Sequence, residues 1–300
     1  MGPDINYHLP LYRPPSEAYS LFLQVTLGCS NNKCTYCSMY RDKQFSVRSF
    51  EDIAQDIEQA RVYYEQLGQD PPKIFICDGD ALAAPTQLLL QVLELLENKF
   101  PNIDRVGIYA TAQNILDKSE TELTKLYQKR LKILYLGLES GADEVLKLVA
   151  KGNTATEMVE AAQKVASIGP KISVIAMLGL GGNERSEVHC RSTAEIVSQM
   201  LPDYFSFLTT VAIPGTPYQR AIEKGQITPL STKELLHEMV EIVSKLNMQK
   251  ECIFRANHVS NQYPIGGVLP REKKSLLMTL EDWLKACPAG VYPENDPHRL

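Results

Sequence analysis

Six short apolar runs alternate with helix-like segments along the first two-thirds of this 300-residue chain, and that rhythm constrains the fold more than any other feature. The runs are residues 21–25 (LFLQV), 73–77 (KIFIC), 105–110 (RVGIYA), 133–138 (ILYLGL), 171–178 (KISVIAML) and 204–209 (YFSFLT). Between them lie segments with helical periodicity at 49–67, 85–100, 118–129, 142–150, 154–168 and 184–200. Ser49 is a natural N-cap with Asp52 three residues on, and Gly68 ends that helix. Strands each followed by a helix call for parallel pairing with right-handed crossovers. Continuous apolarity fits strands covered on both faces. The expected fold is α/β: a partial (β/α)6 TIM-like barrel with a C-terminal helical and irregular extension.

After the sixth run the rhythm breaks. The sequence IPGTP reads as a loop, 231–247 as a helix, the stretch FRANHVSNQYPIGGVLP as irregular, and 271–286 as a last helix before a proline-rich tail. The expected organisation is an N-terminal extension over 1–20, the barrel over 21–217, and a substrate-capping extension over 218–300.

Charge and composition narrow the partners. The balance of 31 basic against 36 acidic residues, a net −5, argues against a general nucleic-acid binder, which would usually show a basic excess, and leaves a local basic patch open. Residues 1–15 are polar and proline-rich and lack the apolar stretch of a secretory signal. No segment approaches the roughly 18 uninterrupted apolar residues of a membrane span. A cytoplasmic location without a membrane partner is expected.

Seven cysteines, an odd number, do not fit a disulfide framework. Cys77, Cys190, Cys252 and Cys287 are scattered, share no ligand spacing, and read as small buried hydrophobes rather than a second cluster site. Cys29, Cys34 and Cys37 fall within nine residues, in C-x4-C-x2-C spacing directly after the first strand. In a parallel α/β fold that loop sits at the C-terminal end of the strands, where sites are built. Three thiolates leave one coordination position open, as a catalytic metal needs. A structural zinc would need a fourth Cys or His nearby, and none follows at zinc-finger spacing.

This loop resembles that of the radical S-adenosylmethionine superfamily, which carries C-x3-C-x2-C with an aromatic just before the last cysteine. Tyr36 fills the aromatic position. One extra residue, in the spacer Ser30 to Lys33, departs from the pattern. Further blocks follow in the family's order. Cys77-Asp78-Gly79-Asp80 after the second strand stands where the family binds the methionine amino group. There Gly79 would admit backbone to the ligand and Asp80 accept from the ammonium; an ordinary Asp-Gly turn is the alternative.

Glu139-Ser140-Gly141 with Lys151-Gly152 resembles a block of the methylthiotransferase-like and coproporphyrinogen-oxidase-like branch. It implies that Glu139 and Ser140 contact the ribose or methionine end of the cofactor, while Ser140 can also cap a helix. Lys151 either reaches a carboxylate or is solvated. The run from Met177 into Gly179-Leu180-Gly181-Gly182 stands where the family contacts adenine, and Ile213 to Pro217 resembles its PGTP turn.

The resemblance implies a radical enzyme with a [4Fe-4S] cluster on Cys29, Cys34 and Cys37. It implies reductive cleavage of S-adenosylmethionine to a 5′-deoxyadenosyl radical that abstracts hydrogen from a small polar substrate. A low-potential electron donor, flavodoxin or ferredoxin, is then required. The alternatives are a non-catalytic iron–sulfur carrier or redox sensor, and a zinc-bound scaffold. On the substrate side, Phe254 to Asn261 packs Arg255, His258, two Asn and a Ser into eight residues of strand-like or loop character. Arg255 and His258 are the expected catalytic pair, against a hydrogen-bonded loop closing the barrel. Gly266-Gly267 reads as a hinge or a turn, and His189 and Cys190 as structural or surface helix residues.

Overall fold

The computed structural model describes residues 2–293. In chain order its elements are β1 (Leu21–Gln24), β2 (Thr26–Leu27), β3 (Ser46–Val47), α1 (Phe50–Gln66), β4 (Lys73–Cys77), α2 (Thr86–Lys99), β5 (Arg105–Ala110), α3 (Ala112–Asp117), α4 (Glu120–Gln128), β6 (Leu131–Glu139), α5 (Asp143–Leu148), α6 (Ala155–Ile168), β7 (Lys171–Leu178), α7 (Ser186–Met200), β8 (Tyr204–Thr209), α8 (Pro217–Glu223), α9 (Thr232–Lys245), β9 (Cys252–Arg255), β10 (Gly266–Leu269) and α10 (Lys273–Ala286). The chain divides into two compact units. One comprises residues up to 32, 39–136 and 163–172; the other comprises 33–38, 137–162 and 173 onward.

In the first unit the strands run β1-β4-β5-β6, all parallel, with Leu21 opposite Ile74, Lys73 opposite Arg105, and Gly107 opposite Ile133. The α1 helix starts where the sequence signals it, Ser49 accepting from the Asp52 amide at 3.2 Å. Phe75, Tyr109 and Tyr135 stack edge-to-face, with ring centroids 4.9 and 5.5 Å apart around Phe75. The N-terminal extension docks here. Fully buried Glu17 accepts from Arg105 at 2.7 Å, from Ser20 and from Tyr135.

In the second unit β7, β8 and β9 are parallel and β10 closes the edge antiparallel to β9. Buried Phe205 and Phe207 alternate with half-buried Tyr204, Ser206 and Leu208 on β8, as a strand with unlike faces requires. Phe254 joins the buried ring cluster at 5.7 Å from Phe207.

The extension is more regular than its sequence indicates. The stretch expected to be irregular contains the end of β9 and all of β10, and Gly266-Gly267 is strand, paired with Arg255 and Phe254, rather than a hinge or turn. Glycine suits this edge because a side chain at Gly267 would meet Leu276 at 3.2 Å. IPGTP is a loop only as far as Thr216, which caps α8 by accepting from the Gln219 amide at 3.2 Å. The expected helix over 118–129 is α4 alone, started by a capping box of Ser119 and Glu122, with α3 before it. Among the described residues no helix is long and apolar enough to cross a membrane.

Candidate functional site

The loop that follows β1 is held from below by the turn that follows β4. Asp78 is fully buried with φ +67° and accepts from the Gly28 amide at 2.9 Å and from Gln24 at 3.1 Å, with Lys43 3.3 Å away. Gly79 donates its amide to the Gly28 carbonyl at 3.0 Å. A Cβ at Gly79 would lie 2.9 Å from Cys29 Cα, so only glycine lets the two backbones meet. Asp80, also fully buried, accepts from the Ser30 amide at 2.9 Å and from the Ser30 hydroxyl. The Asp-Gly-Asp block thus fixes the first half of the cysteine loop. Within the longer spacer, Asn32 takes a left-handed φ of +34° and donates its side-chain amide to the Tyr40 carbonyl at 2.8 Å.

The second half of the loop, residues 33–38, belongs to the second unit and is fixed within it. The Thr35 amide donates to Val149 O at 2.9 Å, and the Thr35 carbonyl accepts from the Tyr218 amide at 3.1 Å. Cys37 closes a turn onto the Cys34 carbonyl at 3.3 Å. The Tyr36 phenol is bonded to Glu139. Burial first, then the Glu139 carboxylate beside it, holds that phenol well above its ordinary value, so it stays protonated and donates.

Glu139 ends β6 with φ +63° and pairs with Lys151 at 2.9 Å. Its carboxylate folds back over Gly137, where a Cβ would also meet Lys151 Nζ at 3.0 Å. Lys151 therefore reaches a carboxylate. Ser140 is fully buried; its hydroxyl bonds His189 Nδ1 at 2.8 Å and accepts from the Ala142 amide at 3.1 Å. Met177 and Tyr36, each half-buried, pack against one apolar cluster that includes Val149, Leu180 and Tyr218.

Cys29, Cys34 and Cys37 are half-buried, whereas the other four cysteines are buried. Burial pushes the Cys77 and Cys190 thiols well up and the Cys252 thiol up to about 12, so these are protonated at neutral pH and poor metal ligands. Among the described residues no three Cys, His, Asp or Glu side chains stand together as a ready metal cage.

In the C-terminal extension Arg255 lies over the Tyr204 ring at 5.4 Å, beside Ser206 in the β8–β9 register. His258 does not share that strand. Its Nδ1 accepts from the Ser260 amide at 3.2 Å, and burial lowers its pKa, which leaves a neutral ring with the proton on Nε2. Ser260 and Asn261 clasp the end of β8, through the Thr209 amide at 3.0 Å and the Phe207 carbonyl at 2.8 Å.

Two buried groups sit behind these loops: Glu238, for which the sequence offered no reading, and His189, which is structural as its helix pattern indicated. Glu238, fully buried on α9, accepts from the Gly179 amide and the Ser186 hydroxyl, each at 2.7 Å. His189, fully buried, places Nε2 3.9 Å from that carboxylate without a hydrogen-bond partner. The one local signal for Glu238 is an acid inside the apolar stripe of Leu235, Met239 and Ile242.

Residues 23–191, more than half of the chain, match the model of the Radical SAM superfamily. The chain belongs to this superfamily. It is a radical S-adenosylmethionine enzyme whose cofactors are a [4Fe-4S] cluster and S-adenosylmethionine, which sets aside the carrier and zinc-scaffold alternatives. The chain is 27% identical over 252 residues to a tRNA-2-methylthio-N(6)-dimethylallyladenosine synthase of Alkalilimnicola ehrlichii, covering 81% of this chain and 54% of that one. A Coxiella burnetii synthase of the same name is 26% identical over 77% of the chain and 52% of its own length. The radical enzyme described here thus spans about half the length of the curated relatives it matches. Both are named for a tRNA modification, so setting nucleic acid aside on net charge alone is not borne out.

Among solved structures, coproporphyrinogen III oxidase of Escherichia coli matches with a TM-score of 0.58 at 17% identity, over 75% of this chain and 52% of that one. A radical S-adenosylmethionine methyltransferase of Kitasatospora setae, solved with cobalamin and a [4Fe-4S] cluster, matches at 0.56 and 15% identity, over 73% and 43%. These likenesses bear out the TIM-like barrel fold.

Proposed function

We propose that Cys29, Cys34 and Cys37 hold the [4Fe-4S] cluster and that Tyr36, Gly79, Asp80, Glu139, Ser140 and Met177 form the pocket for S-adenosylmethionine. When bound, the cluster supplies the electron that cleaves S-adenosylmethionine to methionine and a 5′-deoxyadenosyl radical, which takes hydrogen from a small polar substrate. The observation that carries this reading is the anchoring of each half of the cysteine loop within its own unit. Asp78 and Gly79 hold Gly28, Asp80 holds Ser30, and Val149 and Tyr218 hold Thr35, while the three thiols stay half-buried. The loop backbone is fixed and its three cysteines are half-buried, and metal binding would complete the ligand set. The fit is chemical as well: three soft donors on one loop leave a site on the metal for the amino acid end of the cofactor.

The chain's own groups divide the remaining work. Glu139 pairs with Lys151 and orients the Tyr36 ring through the phenol. Arg255 offers a guanidinium stacked on Tyr204 and suits a carboxylate or phosphate on the substrate. His258 presents Nε2–H as a donor. Residues 218–300 are assigned to substrate choice, and a flavodoxin or ferredoxin to electron supply. A second reading, sulfur or methyl transfer to a tRNA base, is favoured by the names of the two synthases.

Reductant-driven 5′-deoxyadenosine formation, measured with pools of small polar acids and separately with unmodified tRNA, tests the choice. The proposal expects stimulation by an acid and loss of that stimulation, about tenfold, in Arg255→Gln. Stimulation by tRNA alone, or an unaltered Arg255→Gln response, overturns it.

A further inference from the structure

The residue directly after the Pro-Gly-Thr-Pro turn, Tyr218, bonds to two separate loops. Its backbone amide donates to the Thr35 carbonyl, between Cys34 and Cys37, at 3.1 Å. Its hydroxyl donates to the carbonyls of Gly179 at 3.2 Å and Leu180 at 3.0 Å. Its ring is buried with Val149, Leu180 and Ile227, and the half-buried Tyr36 and Met177 pack on that same cluster. The turn after β7 is held from its other side, where the Gly179 amide donates to Glu238 at 2.7 Å. Gly179 itself has φ +77°, a conformation without a preference of its own in glycine, so outside bonds decide it.

We infer that Tyr218 is a positioning residue that ties the Cys34–Cys37 segment to the Gly179–Leu180 turn, so that the cluster loop and the adenine side of the cofactor pocket move as one body. The inference rests on the reading that Cys34 and Cys37 are cluster ligands and that the strand leading into Gly179 faces the cofactor. A phenol fits the task because it is a rigid spacer with a donor at its tip. Thr216 starts α8 by accepting from the Gln219 amide at 3.2 Å, and this sets the direction in which the phenol points.

The variant Tyr218→Phe keeps the ring and the backbone amide and removes only the hydroxyl. Amide hydrogen exchange of the cluster-free protein comes first. Tyr218→Phe is expected to raise exchange several-fold both in 177–182 and in 33–38, while helix content by circular dichroism is unchanged. A rise confined to 177–182 or 215–223, or no rise, overturns the coupling. The reconstituted protein follows. Its S-adenosylmethionine dissociation constant is expected to rise about five- to tenfold in Tyr218→Phe, the usual range for one lost hydroxyl donor, with iron content equal to the parent. An unchanged constant also overturns the inference. A parent chain that takes up no iron on its three loop cysteines would instead overturn the cluster assignment, and the exchange result would still stand by itself. Tyr218→Ala, which removes ring and hydroxyl, should match or exceed Tyr218→Phe in both readouts; a smaller effect than that of Tyr218→Phe overturns the tether.

Discussion

Substitution of the buried Glu238 or His189 should tilt the stability of this protein with pH in opposite directions. Burial raises the Glu238 carboxyl from its ordinary 4.5 to about 7, and lowers the His189 imidazole from 6.5 to about 4. A group with a raised value stabilises the fold below its unfolded value and loses that contribution as pH climbs through its folded one. Glu238 therefore contributes at pH 5 and not at pH 8. A group with a depressed value does the reverse, so His189 contributes at pH 8 and loses it toward pH 4. Integrating proton linkage between pH 5 and pH 8 gives a loss of about 2.5 kcal/mol from Glu238 and a gain of about 2 kcal/mol from His189. The two nearly cancel in the parent.

Guanidinium unfolding of the cluster-free chain at pH 5 and pH 8, parent against Glu238→Gln and parent against His189→Gln, separates them. The parent's advantage over Glu238→Gln should shrink by about 2.5 kcal/mol between pH 5 and pH 8, and its advantage over His189→Gln should grow by about 2 kcal/mol. The competing possibility is an ion pair across the 3.9 Å separation of His189 Nε2 and Glu238 Oε2. In that case the carboxylate would be held low and the imidazolium high, and both trends would change sign. Reversed or flat difference curves would refute a neutral buried pair.

Gly79→Ala places a methyl group 2.9 Å from Cys29 Cα and 3.0 Å from Gly28 O; iron uptake on anaerobic reconstitution should drop several-fold with circular dichroism unchanged. Glu17→Ala removes a fully buried carboxylate from Arg105, whose Nη1 already lacks a partner. It should cost about 3–5 kcal/mol of unfolding free energy, with iron uptake per folded chain equal to the parent.

The barrel strands were legible because each is an apolar run of four to nine residues followed by a helical segment. Strands β9 and β10 were not. Each has four residues, one opens with two glycines, and their pairing partner is set by the sheet already built rather than by local pattern. The cysteine loop was legible from spacing alone. Its anchors were legible only as motif letters: Asp78 was visible in Asp-Gly-Asp, yet its bond to Gly28 spans 50 residues. Glu238 reaches Gly179 across 59 residues, and its place in an apolar stripe hints at burial without naming that partner. Contacts of that separation depend on topology. Asp80, Glu139 and Ser140, expected beside the cofactor, also have internal partners in Ser30, Lys151 and His189, a second duty that motif resemblance does not reveal.

The central claim is that Cys29, Cys34 and Cys37 carry the cluster that cleaves S-adenosylmethionine. Anaerobic reconstitution of the parent and of the three single Cys→Ala variants, with iron counted and 5′-deoxyadenosine measured after reduction, tests it most directly. The account predicts about four irons and 5′-deoxyadenosine in the parent, loss of both in each of the three variants, and parent-like values in a Cys252→Ala control. Iron retained by the three variants, or an intact cluster that yields no 5′-deoxyadenosine under strong reductant, would contradict it.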